Sequence, residues 1–170
     1  YISHINYKSI IGVSNKLATM LSSRGCPYKC TFCDIPFKEH RRRSPKSIVD
    51  EMQLCIEMGY DEIHFYDDLF NITPKRLVEI CDEIDDRGVK VKWDFRGRVN
   101  GTDYESLRRF KNSGGRMISF GIETATDEGL KVLRKGSKVQ ENAQALKWCR
   151  ELGIVSVADY MIGLPHERSE

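Results

Sequence analysis

Three cysteines within eight residues constrain this chain more than any other feature of it. Cys26, Cys30 and Cys33 stand in the run Arg24-Gly25-Cys26-Pro27-Tyr28-Lys29-Cys30-Thr31-Phe32-Cys33, spaced C-x₃-C-x₂-C, just after an apolar stretch, Leu17 to Leu21. Thiolates this close converge on one metal centre only if the loop wraps around it, and Gly25 and Pro27 supply the turn chemistry. Three sulfurs are one short of the four that close a tetrahedral zinc site or saturate an iron–sulfur cubane. A position left open suits a catalytic centre. Two plainer readings stand beside it: a zinc knuckle that borrows His40, and free thiols.

The rest of the chain alternates strand and helix. Residues 1–16 are a polar lead-in or linker with no clear period, and 17–170 read as one core domain. Leu17–Ser22 is the first expected strand, followed by the cysteine loop and a basic connection, Lys38 to Arg43. Ser44-Pro45 predicts an N-cap with proline at the first helical position, and that helix runs to Met58 before Gly59. Glu62–Tyr66 is the second strand, and Thr73-Pro74 repeats the cap signal for a helix ending at Gly88. Val89–Arg98 is the third strand, with Val91, Trp93 and Phe95 on one face and Lys92, Asp94, Arg96 and Arg98 on the other. Thr102 with Glu105 reads as a capping box for a helix ending near Gly114, and Met117–Ile122 is the fourth strand. A helix from Asp127 to Arg134 follows, then a second capping box, Ser137 with Gln140, opening a helix that ends at Gly153. Ile154–Ile162 is the fifth strand.

This pattern calls for an α/β fold in which right-handed crossovers join about five parallel strands. No Gly-rich phosphate turn follows the first strand, which counts against a dinucleotide fold. A barrel-like sheet gathers its chemistry at the C-terminal strand ends. The cysteines, Asp67-Asp68, Arg98, Glu123 and Gly163 all fall at or just after successive strand ends, so the chain reads as an enzyme.

A net charge of +2 does not by itself argue for a nucleic-acid partner. No signal peptide is visible, and no apolar run reaches the roughly 18 residues of a membrane span. Of six cysteines, three are bunched in the motif, and Cys55, Cys81 and Cys149 sit in helical patterns as packing residues. That is metal usage in a reducing cytoplasm rather than a disulfide framework. The chain starts on Tyr1 and stops in a polar run after Pro165, so it reads as an excerpt truncated at its C-terminal end.

The cysteine run resembles the cluster motif of the radical S-adenosylmethionine (radical SAM) enzymes. The resemblance implies a partial (β/α) barrel of that type, in which Cys26, Cys30 and Cys33 hold a 4Fe-4S cluster and S-adenosylmethionine chelates the fourth iron. Phe32 then lies where the family places a residue beside the adenine. From about residue 17 the chain is most similar to the branch often associated with an N-terminal cobalamin-binding domain, so cobalamin enters through a domain outside this chain. His64-Phe65-Tyr66-Asp67-Asp68-Leu69-Phe70 resembles the acidic segment after the second strand. It departs from the family's Gly-Gly-Glu pattern, which leaves open which of Asp67 and Asp68 meets the cofactor. Arg98-Val99-Asn100 resembles the arginine at the third strand end. Gly121-Ile122-Glu123-Thr124 resembles a Gly-Ile-Glu-Ser segment, placing Glu123 near the ribose or carboxylate of the cofactor. Lys135-Gly136 and Gly163-Leu164-Pro165-His166-Glu167 match two further segments, with Gly163 letting backbone approach the adenine.

Each of these residues has a plainer reading. Asp67-Asp68 would be a solvated turn, Arg96 and Arg98 surface cations, and Lys135 a helix cap. Arg41-Arg42-Arg43 would be a solvated charge run rather than a phosphate contact. His4, His64 and His166 have no partner legible in the sequence. The functional expectation is a radical SAM enzyme acting on a small-molecule or lipid substrate and drawing electrons from a reductant such as flavodoxin or ferredoxin, with nucleic acid disfavoured. The alternatives are a methylthiotransferase acting on tRNA or ribosomal protein, and a cysteine-ligated metal-binding or electron-transfer module.

Overall fold

The computed structural model describes residues 16–164 and 167. Seven strands and five helices follow in chain order: β1 (Leu17–Met20), β2 (Ser23–Arg24), β3 (Arg41–Arg42), α1 (Pro45–Glu57), β4 (Glu62–Phe65), α2 (Pro74–Asp86), β5 (Lys92–Gly97), α3 (Tyr104–Asn112), β6 (Gly115–Glu123), α4 (Asp127–Val132), α5 (Val139–Glu151) and β7 (Val155–Tyr160). Five of the strands form one parallel sheet in the order β1-β4-β5-β6-β7. Spatial order follows chain order, so every right-handed crossover returns on the same side and the helices cover one face. The result is an open, barrel-like (β/α) sheet with β1 and β7 at its edges.

Strand alternation divides the residues between the two faces. Ile63, Phe65, Trp93, Phe95, Ile118 and Phe120 are fully buried against the helices. They meet Ile48 and Met52 of α1, Leu77, Ile80 and Ile84 of α2, and Leu107 and Phe110 of α3. Aromatic rings dominate the middle: Trp93 meets Phe110 edge-on at 4.6 Å, and Phe70 stacks on Phe95 at 4.5 Å. The Trp93 indole is satisfied by the Ser113 carbonyl at 3.1 Å.

The opposite, concave face is polar. Glu62 is completely buried there, and Arg116 donates to it at 2.9 Å through Nε and reaches Asp94 at 3.4 Å through Nη2. Arg116 turns to this face because the pairing of β5 with β6 shifts by a residue between Trp93 and Asp94. His64, without a legible partner in the sequence, is bonded to Asp94 through Nδ1.

The helix starts at Ser44 and Thr73 match the expectation: each hydroxyl accepts an amide of the first turn, from Ser47 and Arg76 respectively. Two other caps need correction by one residue. α3 is capped by Asp103, whose carboxylate accepts the Ser106 amide at 2.8 Å while the Ser106 hydroxyl accepts the Asp103 amide. Thr102 instead closes a 3₁₀ turn over Val99–Gly101 by donating to the Val99 carbonyl. α5 starts after Lys138, whose amide bonds Glu141, and the Ser137 hydroxyl is buried without a partner among the described residues. In both cases the turn before the helix is one residue longer than the motif suggested.

The basic connection contains a strand that the sequence does not announce. Arg41–Arg42 pairs antiparallel with Ser23–Arg24, so a two-residue ribbon holds both ends of the cysteine loop.

Candidate active site

The cysteine loop leaves β1, crosses over the strand ends and returns through β3. Gly25 has φ +83° and lies so close to the returning chain that a Cβ there would stand 2.1 Å from the Glu39 carbonyl oxygen, so only glycine fits. The Cys26 amide donates to the Phe37 carbonyl at 3.0 Å. On the far side, the Thr31 amide donates to the Leu133 carbonyl at 3.1 Å, tying the loop to the chain beyond α4.

Beneath the loop, at the C-terminal strand ends, lies a cavity of about 190 Å³ lined by Cys26, Cys30 and Cys33 together with Phe32, Asp68, Arg96, Arg98, Ser119, Lys135 and Asp159. Larger grooves lie elsewhere on the surface, but none of them carries the cysteines. The three thiols surround this space without closing on a point. Among the described residues no three His, Cys, Asp or Glu side chains are arranged to hold a single metal ion. His40 is not among the residues that line the cavity; its Nε2 is bonded to the Leu69 carbonyl at 2.9 Å, and its Nδ1 is buried without a partner among the described residues. Burial pushes the Cys26 thiol above its ordinary value, and its neighbours Cys30 and Cys33 act the same way, against the lowering effects of a Tyr28 backbone bond and the Arg98 charge.

Arg98 is buried beside these thiols. One Nη donates to Cys30 Sγ at 3.3 Å, and the guanidinium stacks 3.9 Å over the Tyr28 ring. Its Nε and other Nη are buried without a partner among the described residues. Asn71 sets its position: the side-chain amide accepts the Arg98 amide at 3.0 Å and donates to the Arg98 carbonyl at 2.8 Å. Sequence reasoning missed Asn71; its only signal is an uncharged polar residue directly behind Leu69-Phe70.

The two aspartates separate. Asp67 is buried and accepts from the Ser22 amide at 2.8 Å, the Ser22 hydroxyl at 2.5 Å and the Ser23 hydroxyl at 2.6 Å. It joins the end of β4 to the end of β1. Asp68 is exposed, accepts the Gly25 amide at 2.7 Å and lines the cavity. Strand alternation would predict opposite directions for consecutive residues, but not which of them turns inward.

Glu123 is paired with Lys135: Nζ to Oε1 is 2.7 Å, with both side chains buried. Glu123 adopts φ +70°, where the register with β7 shifts after Gly121, and this turns its side chain back along the strand. The pair lies across Gly121, where a Cβ would stand 2.3 Å from Glu123 Oε1 and 2.7 Å from Lys135 Nζ. Lys135 is the cavity-facing member, 5.7 Å from the Phe32 ring centre. Phe32 is 42% exposed, at the mouth.

Gly163 is not brought to this cavity. It is exposed, and its amide donates to Glu167 at 2.8 Å, with open space where a side chain would stand. Pro165 and His166 of the same segment lie outside the described residues, as do His4 and nearly all of the lead-in. Ser119 and Asp159 are cavity residues that the sequence reading did not single out, and Arg96, read there as a surface cation, lines the cavity as well. The Ser119 hydroxyl donates to Asp159 at 2.6 Å, and Arg96 stands 5.2 Å over the Tyr66 ring.

Residues 20–170 match a family model described as the radical SAM superfamily. The chain is 31% identical over 155 residues to an uncharacterized methyltransferase of Pyrococcus horikoshii, covering 89% of this chain and 34% of that protein. It is 34% identical over 177 residues to the anaerobic magnesium-protoporphyrin IX monomethyl ester cyclase of Cereibacter sphaeroides, covering 98% and 29%. In fold it is similar to the radical S-adenosylmethionine methyltransferase TsrM from Kitasatospora setae, solved with tryptophan and a SAM analogue, at TM-score 0.80, 24% identity, and coverage of 89% of this chain and 31% of that one. The chain thus spans about a third of the length of these curated relatives.

Proposed function

The chain belongs to the radical SAM superfamily, and from that premise we propose that Cys26, Cys30 and Cys33 hold a 4Fe-4S cluster over the strand-end cavity and that S-adenosylmethionine binds there. A single observation carries the reading: three thiols share one cavity with polar groups from four successive strand ends. The donor set suits a cubane, whose ligands bind different irons and so stand around a body instead of converging on one ion. When bound, the cluster supplies the electron for reductive cleavage of S-adenosylmethionine to a 5′-deoxyadenosyl radical.

The chain's own residues bind, orient and shield. Arg98 donates to Cys30 Sγ and keeps two buried N–H donors for an anionic group, such as the carboxylate of the cofactor. Asp68, on the cavity wall, would accept from the cofactor's amino group. Lys135 presents a cation to the cavity, held in place by Glu123, which makes Glu123 a positioning residue. Phe32 offers a flat apolar surface at the mouth for the adenine. Ser119 and Asp159, also on the cavity wall, offer a hydroxyl and a carboxylate.

Relatives described as methyltransferases and a cyclase support placing the reaction in the cobalamin-associated branch, with cobalamin carried by a domain outside this chain and a small-molecule or lipid substrate. Among the described residues no helix is long and apolar enough to cross a membrane. Free thiols and an iron–sulfur cluster suit the reducing cytoplasm.

The test is anaerobic reconstitution of the protein with iron and sulfide, followed by chemical reduction in the presence of S-adenosylmethionine. Uptake of about four irons and release of 5′-deoxyadenosine are expected. Stoichiometric zinc with no capacity for a cluster would move the protein to the metal-module reading.

A further inference from the structure

The cysteine loop has an outer face as well as an inner one. Arg24, Lys29, Lys38, Arg41 and Arg42 are all exposed on it or on the ribbon that carries it. Among the described residues none of the five is ion-paired, whereas Arg43, Arg87, Arg108, Arg109 and Arg116 each have a carboxylate partner. Only Asp34 and Glu39 interrupt the positive charge of the segment. Arg42 also stands near a further cation: after burial, its charge is the next cause holding the Arg76 guanidinium below its ordinary value. Uncancelled like charge disfavours a compact fold, and a partner of opposite sign relieves it. Next to Lys38 on the same loop is Phe37, 60% exposed, whose carbonyl is the group bonded to the Cys26 amide. A groove of about 540 Å³ runs along the ribbon itself, lined by Ser23, Arg24, Arg41 and Arg42 among others.

We propose that Phe37 and the surrounding Arg24, Lys38, Arg41 and Arg42 form the docking surface for an acidic one-electron donor protein. The proposal rests on the cluster reading above. One electron leaves the donor's reduced flavin or iron–sulfur centre and the cluster gains it; no bond is made or broken. The bond from the Cys26 amide to the Phe37 carbonyl gives a short path from the surface to a cluster ligand. Electron-transfer partners meet through small, weak interfaces steered by charge, and an exposed aromatic on an unpaired basic loop fits that kind of contact. Its position directly outside the cysteines favours a redox protein over a nucleic-acid backbone, which needs no proximity to the cluster.

The test uses the full-length protein, with flavodoxin hydroquinone as donor and photoreduced 5-deazariboflavin as a small uncharged control. Arg41→Glu/Arg42→Glu should slow cluster reduction by flavodoxin about tenfold or more. It should also weaken flavodoxin binding to the cluster-free protein, measured by titration calorimetry. Reduction by deazariboflavin, iron content and melting temperature should stay unchanged, because both side chains are exposed. Phe37→Ala keeps the carbonyl and should weaken binding as well. For the wild type, the flavodoxin rate should fall as salt rises from about 0.05 to 0.3 M. Unchanged rate and affinity in both variants overturn the proposal. Loss of affinity for an RNA oligonucleotide, with flavodoxin unaffected, also overturns it and gives the surface to nucleic acid. A wild-type protein that takes up no cluster brings down the cluster reading and the docking surface together, whereas a cluster that forms but ignores the patch brings down the docking surface alone.

Discussion

At Asp67 both carboxylate oxygens are engaged by Ser22 and Ser23, in a buried position where no water replaces a lost partner. Asp67→Ala should therefore destabilise the fold by about 1.5–3 kcal/mol, read by chemical denaturation. Asp68→Asn should change stability by no more than about 0.5 kcal/mol and instead weaken S-adenosylmethionine binding to the reconstituted protein. The reverse pattern would exchange their roles. Glu123→Gln replaces a buried ion pair by a neutral hydrogen bond and leaves the Lys135 charge uncompensated, so a loss of about 1–3 kcal/mol is expected. Cofactor affinity should fall only as far as Lys135 moves. A melting temperature that holds while affinity collapses would show Glu123 itself touching the cofactor. Asn71→Ala should strip both backbone bonds from Arg98, costing about 1–3 kcal/mol and loosening the guanidinium over Tyr28.

At the scale of the element, the three cysteines outside the motif belong to helices. Cys81 and Cys149 are fully buried, and burial pushes their thiols up to about 12 and about 11, values that suit packing and not ligation. Cys81→Ala and Cys149→Ala should each leave iron uptake intact and cost about 1 kcal/mol. Loss of iron in either would mean that the ligand set is wrong. The start of α3 gives a second check at this scale. Asp103→Ala should cost about 1 kcal/mol of stability through the lost cap, by thermal melting. The Thr102 hydroxyl serves a turn outside the helix, so Thr102→Val should spare the helix itself.

In the whole molecule, the cysteine loop is a strap between the first strand and the chain after α4, through Thr31 to Leu133 and Cys30 to Arg134. A cluster bound under that strap joins the same parts and binds only the folded state. Loading should therefore raise the melting temperature, as a ligand selective for the native state does. Cys30→Ala should abolish that rise along with the iron, while its cluster-free protein melts close to the cluster-free wild type. A rise that survives in Cys30→Ala would place the metal elsewhere.

The alternation of strands and helices, the parallel sheet and the buried face of β5 were legible because they follow from local periods: apolar residues at two-residue and helical spacings, and Ser-Pro or Thr-Pro at helix starts. The cysteine spacing likewise pointed to the loop on which the site is built. Tertiary structure decided what depends on contacts between distant segments. It gave Asp67 to Ser22 and Ser23, Glu123 to Lys135, His64 to Asp94 and the backbone of Arg98 to Asn71, and it left Gly163 outside the cavity. No local period encodes such pairings. They depend on register shifts beside Asp94 and Gly121 that rotate single side chains, and on which of two neighbouring carboxylates finds a buried hydroxyl within reach.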